Sequence, residues 1–175
     1  MLGVLASALL FIPRAAKLSI RELIVTDERV VRERVATDPP TRSVAIYDLE
    51  GELFFGAAPE LDRYLDEVFA AARSTGIRHI VLRLKRVRSP DAVCLERLEL
   101  ALQAAQAKGF TVYLAGIRPD LQRGFERLGW SKWLPREQWF LEEDAEFSAT
   151  LKAVRTAYEA AEERRQTGAV VYYLV

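Results

Sequence analysis

One cysteine, one histidine and one methionine stand in a chain of 175 residues. A single cysteine excludes an internal disulfide framework and a cysteine-rich metal site. A single histidine removes most zinc centres and most triad-type nucleophile designs. An excess of charge of one sign is also missing. Lys+Arg and Asp+Glu number 25 each, so no global basic field draws the chain to nucleic acid. What is present is apolar bulk: 50% of the residues are hydrophobic, enough for one sizeable core. Any catalysis would fall to carboxylates, lysines or tyrosines. No nucleophile–base pair or metal cluster is visible among them, so the reading is a non-enzyme with no cofactor and no metal.

The first twelve residues are apolar nearly throughout, yet a spanning helix needs about 20. No basic segment precedes the run, as a secretory signal would require. Arg14, Lys17 and Arg21 follow it instead, an order that suits the cytoplasmic end of a membrane helix. Residues 1–18 are read as such a remnant, with membrane association through it; a packing helix is the other reading. Residues 19–42 form a charged connector in which Val25, Val30, Val31 and Val35 suit short strands. Asp38-Pro39-Pro40 marks its end.

From Ser43 to residue 165 the pattern is that of one compact domain. Residues 44–49 and 52–55 read as two short strands around Glu50-Gly51, a hairpin. Pro59 opens a helix whose Leu61, Tyr64, Leu65, Val68, Phe69 and Ala72 fall at helical spacing, and Gly76 stops it. Residues 79–85 alternate, with Ile80, Leu82 and Leu84 on one face and Val81, Arg83 and Lys85 on the other. This suits a strand buried mainly on one side. A helix from about Asp91 to Lys108 carries Leu95, Leu98, Leu102 and Ala105. A strand over 110–115, a short helix over 118–128 and an edge strand over 138–141 follow. A long helix over 142–165 comes last, with Phe147, Leu151, Val154, Tyr158 and Ala161 predicted inward. The order β-β-α-β-α-β-α-β-α implies an α/β fold with crossover units, a mixed sheet and helices mainly on one face. The tail, 166–175, is apolar and β-prone, and packs on this domain, a second copy or a membrane partner.

Three stretches of this domain carry a family resemblance. The first is Val44 to Ala58, ending Leu53-Phe-Phe-Gly-Ala-Ala58. The second is Ile80 to Ala92, a strand running into Ser89-Pro-Asp-Ala92. The third is Lys108 to Ile117, with Phe125-Glu-Arg-Leu-Gly129 after it. Together they resemble the STAS domain, and more closely the cytoplasmic C-terminal STAS domain of SulP sulfate permeases. The resemblance implies a STAS-like (SpoIIAA-like) fold. It also implies a regulatory or interaction role in a secondary transporter of sulfate, bicarbonate or a dicarboxylate, on the cytoplasmic side of the inner membrane, outside the transport path. The implied partners are the membrane domain of such a transporter and a second STAS copy, with no nucleic acid. The alternative is a free-standing signalling protein of the anti-sigma-factor-antagonist type.

In switch-type STAS domains a Ser or Thr at the start of this helix accepts phosphate. A phosphate there gains helix amides and repels acidic neighbours. Here the matching positions are Asp91, Ala92, Val93 and Cys94. Val93 has no hydroxyl, and Ser89 lies before the motif, where an N-cap role with Pro90 at the first helical position is expected. The loop is thus a degenerate switch. Asp91 is expected to stabilise the helix end and Cys94 to be a small buried hydrophobe. His79 is expected at a surface or edge. Arg83, Lys85, Arg86 and Arg88 form a basic cluster, read either as a partner- or membrane-facing patch or as a solvated sheet face. Trp130, Trp133 and Trp139 are expected to cap the core, at least in part.

Overall fold

Six strands and four α-helices account for most of the described residues. The computed structural model describes residues 18–26, 30–41 and 43–171, with side chains as far as 162. The strands are β1 (Ser19–Val25), β2 (Val31–Glu33), β3 (Val44–Glu52), β4 (His79–Arg88), β5 (Thr111–Ile117) and β6 (Trp139–Leu141). The helices are α1 (Ala58–Ser74), α2 (Ala92–Ala107), α3 (Pro119–Arg127) and α4 (Ser148–Val171). The sheet order is β2-β1-β3-β4-β5-β6. From β3 to β6 neighbouring strands are parallel, while β1 is antiparallel to both β2 and β3. Parallel neighbours need a crossover, and α1, α2 and α3 supply it.

Two differences from the sequence pattern follow. The expected connector is not outside the sheet, because β1 pairs with β3 from Ser19↔Glu50 to Leu23↔Ile46. The hairpin predicted over residues 44–55 does not form. The first arm instead runs on through Gly51 to Glu52 as one strand, β3, with an irregularity between Asp48 and Glu50, while the second arm leaves the sheet and residues Phe55–Ala57 turn into a 3-10 helix. The antiparallel partner of β3 is β1, whose polar Ser19, Arg21 and Glu22 gave no period-2 signal.

On one face of the sheet α1, α2 and α3 bury Leu61, Leu65, Leu95, Leu98, Leu102, Leu121 and Phe125 against Leu49, Leu82, Leu84, Val112 and Leu114. Trp130 is wholly buried there and stacks on Phe125 with ring centroids 4.0 Å apart. Trp139 meets Phe125 edge-on at 5.6 Å. The tryptophans therefore do close this core. Each fully buried large apolar side chain is worth about 1.5–3 kcal/mol.

The second face is covered too. α4 lays Ala153, Val154 and Ala157 on Leu23, Val31, Val44, Ile46, Val81, Tyr113 and Ala115. Helices therefore lie three to one across the faces. The inward stripe of α4 is built mainly of alanines, and Tyr158, predicted inward, is 41% exposed. The helix starts at Ser148, after Phe147 in a left-handed conformation (φ 61°), and its backbone reaches Val171, into the segment read as an apolar tail.

α1 and α2 end alike. Gly76 (φ 72°) lets Ile77 N–H reach the Ala72 carbonyl at 2.9 Å. Gly109 (φ 84°) lets Phe110 N–H reach the Ala105 carbonyl at 3.1 Å. Each is a glycine-terminated cap that turns the next apolar residue into the core. Ile77, Phe110, Ala72 and Ala105 meet in one cluster as a result.

Candidate interaction site at the β4–α2 turn

The ends of β3 and β4 and the start of α2 meet at one corner, and Asp91 ties them together. Its backbone N–H donates to the Leu53 carbonyl at 2.9 Å, and Leu53 N–H donates to the Arg88 carbonyl at 2.8 Å. Its carboxylate caps α2, accepting from Cys94 N–H at 2.8 Å, and also accepts from Phe55 N–H. An N-cap carboxylate satisfies one of the orphan helix amides and complements the helix dipole. Asp91, not Ser89, is thus the N-cap. Ser89 sits two residues earlier, exposed and left-handed (φ 48°), and Pro90 precedes the helix instead of opening it.

Cys94 is buried, and its thiol donates to the Phe54 carbonyl at 3.0 Å. Burial, followed by the charges of Asp91 and Asp62, pushes the thiol up to about 11. The site therefore holds no ready thiolate at neutral pH. Val93 lies on the outside of the first turn, 48% exposed, and Ala92 is exposed beside it. Across the corner Phe55 is 70% exposed, with its ring edge-on to Phe54 at 5.6 Å. Phe55 was not singled out in the sequence. The doubled Phe54-Phe55 before Gly56 was the available signal, since the strand period can bury only one of two adjacent rings. The corner thus presents an apolar pair, Phe55 and Val93, beside a serine hydroxyl, on a backbone held by four hydrogen bonds. That arrangement can bind a partner surface; it offers no acid–base pair for catalysis.

The four residues of the basic cluster do not share one surface: Arg83 is buried, Lys85 is half-buried, and Arg86 and Arg88 are exposed. Arg83 is 1% exposed and donates from Nη1 to Asp48 Oδ1 and Oδ2 at 2.9 and 3.1 Å, with Phe147 stacked 4.6 Å over its guanidinium. Lys85 pairs with Glu142, and Arg86 pairs with Glu50 at 3.3 Å. Arg88 is exposed. The reason is α4: the face opposite Leu82 and Leu84 is covered, so Arg83 points into protein. His79, expected at the surface, is 4% exposed for the same reason and stacks on Tyr113, with Nδ1 3.4 Å from the Tyr113 hydroxyl. Among the described residues no group of carboxylates, histidine or cysteine is placed to hold a metal ion.

Residues 37–145, more than half of the chain, match the family model of the STAS domain, and the chain belongs to that family. A sulfate transporter family protein from Wolinella succinogenes is 27% identical, with a TM-score of 0.54, over 70% of this chain and 90% of that one. The murine solute carrier 26 family member A9 anion transporter, in its inward-facing state, superposes with a TM-score of 0.70 over 90% of this chain at 16% identity, which speaks for the fold alone. This chain spans 25% of that transporter's length. No curated protein matches the sequence. Among the described residues no helix is long and apolar enough to cross a membrane, and the run at residues 1–17 lies outside them.

Proposed function

We propose that this chain is the regulatory STAS module of a SulP-type anion transporter, sited on the cytoplasmic side of the membrane, and that it works by protein contact and not by catalysis. The observation that supports the transporter class most directly is the 27% identity to a sulfate transporter family protein across 90% of that chain. The corner described above supports the mode of action. Its helix start carries Val93 where a phosphate-accepting hydroxyl would sit, and its cysteine is buried. Phe55 and Val93 are left as an exposed apolar contact, which fits a standing interface better than a phosphorylation switch. The apolar residues 1–12 fit attachment to a membrane domain.

The test is fractionation of the source cells with an antibody against the chain. The expected signal is in the membrane fraction, co-purifying in mild detergent with a polytopic apolar protein or as part of one. A chain found wholly in the soluble fraction, bound to a kinase-type anti-sigma factor, would replace this reading with the free-standing signalling one.

A further inference from the structure

On the helical face, away from the β4–α2 corner, a trough of about 360 Å³ runs between the C-terminal halves of α1 and α2. Its floor is apolar: Phe69, Ala101, Ala105 and the edge of Phe110, with Ala70 and Ala104 on its walls. Leu100, one turn before Ala104, continues the apolar surface and is 61% exposed. Charge is distributed along the trough. Arg73 and Lys108 stand at the end where both helices terminate, and Arg78 lies beside them, its Nη1 3.4 Å from the Lys108 carbonyl and its guanidinium 5.4 Å from the Phe110 ring. Asp66 lines the other end, two turns earlier on α1, about 10 Å away along the helix.

Cations at helix ends are ordinary, since they complement the carbonyl termini. Two facts exceed that role. Three cations gather where two helix ends meet, and none of the three is in an ion pair among the described residues, although most of the other arginines among the described residues are. They also border an exposed trough of small side chains, whose shape admits the ridge of another helix.

We infer that this trough is a docking site for an amphipathic helix of a partner protein. The occupant has an apolar stripe, carboxylates at the end facing Arg73, Arg78 and Lys108, and a basic residue opposite Asp66. Small walls let the partner's leucine-type side chains reach Phe69 and Phe110. The separated charges fix the direction in which the helix lies, because reversal would set like charges together at both ends. The site is distinct from the corner, so it stands whether or not the transporter reading holds.

The probe is a synthetic amphipathic peptide of about 16 residues, roughly 24 Å of helix. It carries leucines at helical spacing, glutamates at one end and a lysine at the other. It is titrated into the ¹⁵N-labelled full chain. The expected result is saturable binding, with amide shifts centred on Ala70, Arg73, Ala104 and Lys108. Arg73→Glu with Lys108→Glu should weaken it about tenfold or more, the scale of two lost charge contacts. A peptide with the charged ends exchanged should bind more weakly by a similar factor. Ala104→Trp, which fills the trough from an exposed position, should block binding with the thermal melt unchanged. The inference is overturned if the exchanged peptide binds equally, if shifts centre on Phe55 and Val93, or if no saturable binding is seen. Anionic phospholipid vesicles, and not the peptide, protecting the same amides would also overturn it, in favour of a lipid surface.

Discussion

Arg83 and Asp48 face each other in register across the parallel strands β4 and β3, their charged groups 2.9 Å apart and both side chains nearly inaccessible to solvent. The pair lies in the layer between the sheet and α4, with Phe147 as its lid. Phe147 holds a left-handed backbone there, immediately before the first turn of α4. The ion pair thus lies directly beneath the point where α4 begins on the sheet.

Removing one partner should be far worse than removing both. Arg83→Met leaves a buried carboxylate and should cost about 3–5 kcal/mol in urea unfolding. Asp48→Leu combined with Arg83→Met should recover most of that loss, since apolar replacements of buried pairs are often neutral or stabilising. The pH dependence has a definite sign. Burial lifts the Asp48 carboxyl above its ordinary value despite Arg83 beside it. Its contribution is therefore full below the ordinary carboxyl range and is lost as pH rises through the raised value. The double variant lacks this loss, so its stability relative to the parent should improve from mild acid to neutral pH. A relative stability that falls over that range would mean the carboxyl is depressed and the pair dominates burial.

Asp91→Ala should destabilise the chain by about 1–2 kcal/mol, because one side chain both caps α2 and accepts from Phe55 N–H. Asp91→Asn should lose less, since its amide oxygen still caps. Hydrogen exchange at Phe55 and Cys94 should accelerate together in the alanine variant. Acceleration at Cys94 alone would show that the Phe55 contact carries no weight.

Cys94 should react slowly. With its thiol pushed up to about 11, the thiolate fraction at pH 8 is on the order of a hundredfold below that of a free cysteine, before burial slows access further. Iodoacetamide should label the native chain at least that much more slowly than the urea-unfolded chain, by intact mass. Comparable rates would mean the corner opens readily.

Serine kinases that act on STAS switch loops should leave residues 91–94 unmodified, because Val93 provides no oxygen. Val93→Ser puts a hydroxyl on the exposed first turn and should permit phosphorylation there. Phosphate mapped to Ser89 of the parent chain would establish a shifted acceptor and revive the switch.

What could be read from the sequence, and what could not, follows from where each signal originates. α1 and α2 were legible because leucines at helical spacing and terminal glycines belong to one continuous segment. Asp91 as a stabiliser of the helix end and Cys94 as a buried residue were legible because both are local preferences, whereas the N-cap itself was placed two residues early, on Ser89. Arg83 was not. Alternation correctly put it opposite Leu82 and Leu84, but whether that face meets water depends on α4, more than 60 residues later. α4 conceals its covering role, because its inward stripe at Ala153, Ala157 and Ala161 carries little hydrophobic contrast while Tyr158 draws the eye outward. His79 was misplaced for the same reason. β1 was missed because an edge-side strand with one well-buried residue, Leu23, lacks a period-2 pattern.

β1 gives the sharpest test of where the domain begins. Leu18 is fully buried among Leu49, Leu61 and Leu65, while Leu23 and Val31 lie on the other face beneath α4. Their burial is worth on the order of 5 kcal/mol together, comparable to the whole margin of a typical domain. Removing β1 would also bare the backbone edge of β3 from Ile46 to Glu50, exposing a long central strand to aggregation. Deleting residues 1–14 stops short of all these contacts and should leave the cooperative thermal transition in place. Deleting residues 1–42 should abolish that transition or leave an aggregating product, although the STAS family match begins only at residue 37. A cooperative melt of the 43–175 chain at the parent temperature would show that β1 and β2 are ornaments on a domain complete without them. A collapse of the 15–175 chain would show instead that the apolar N-terminal run belongs to the core and not to a membrane.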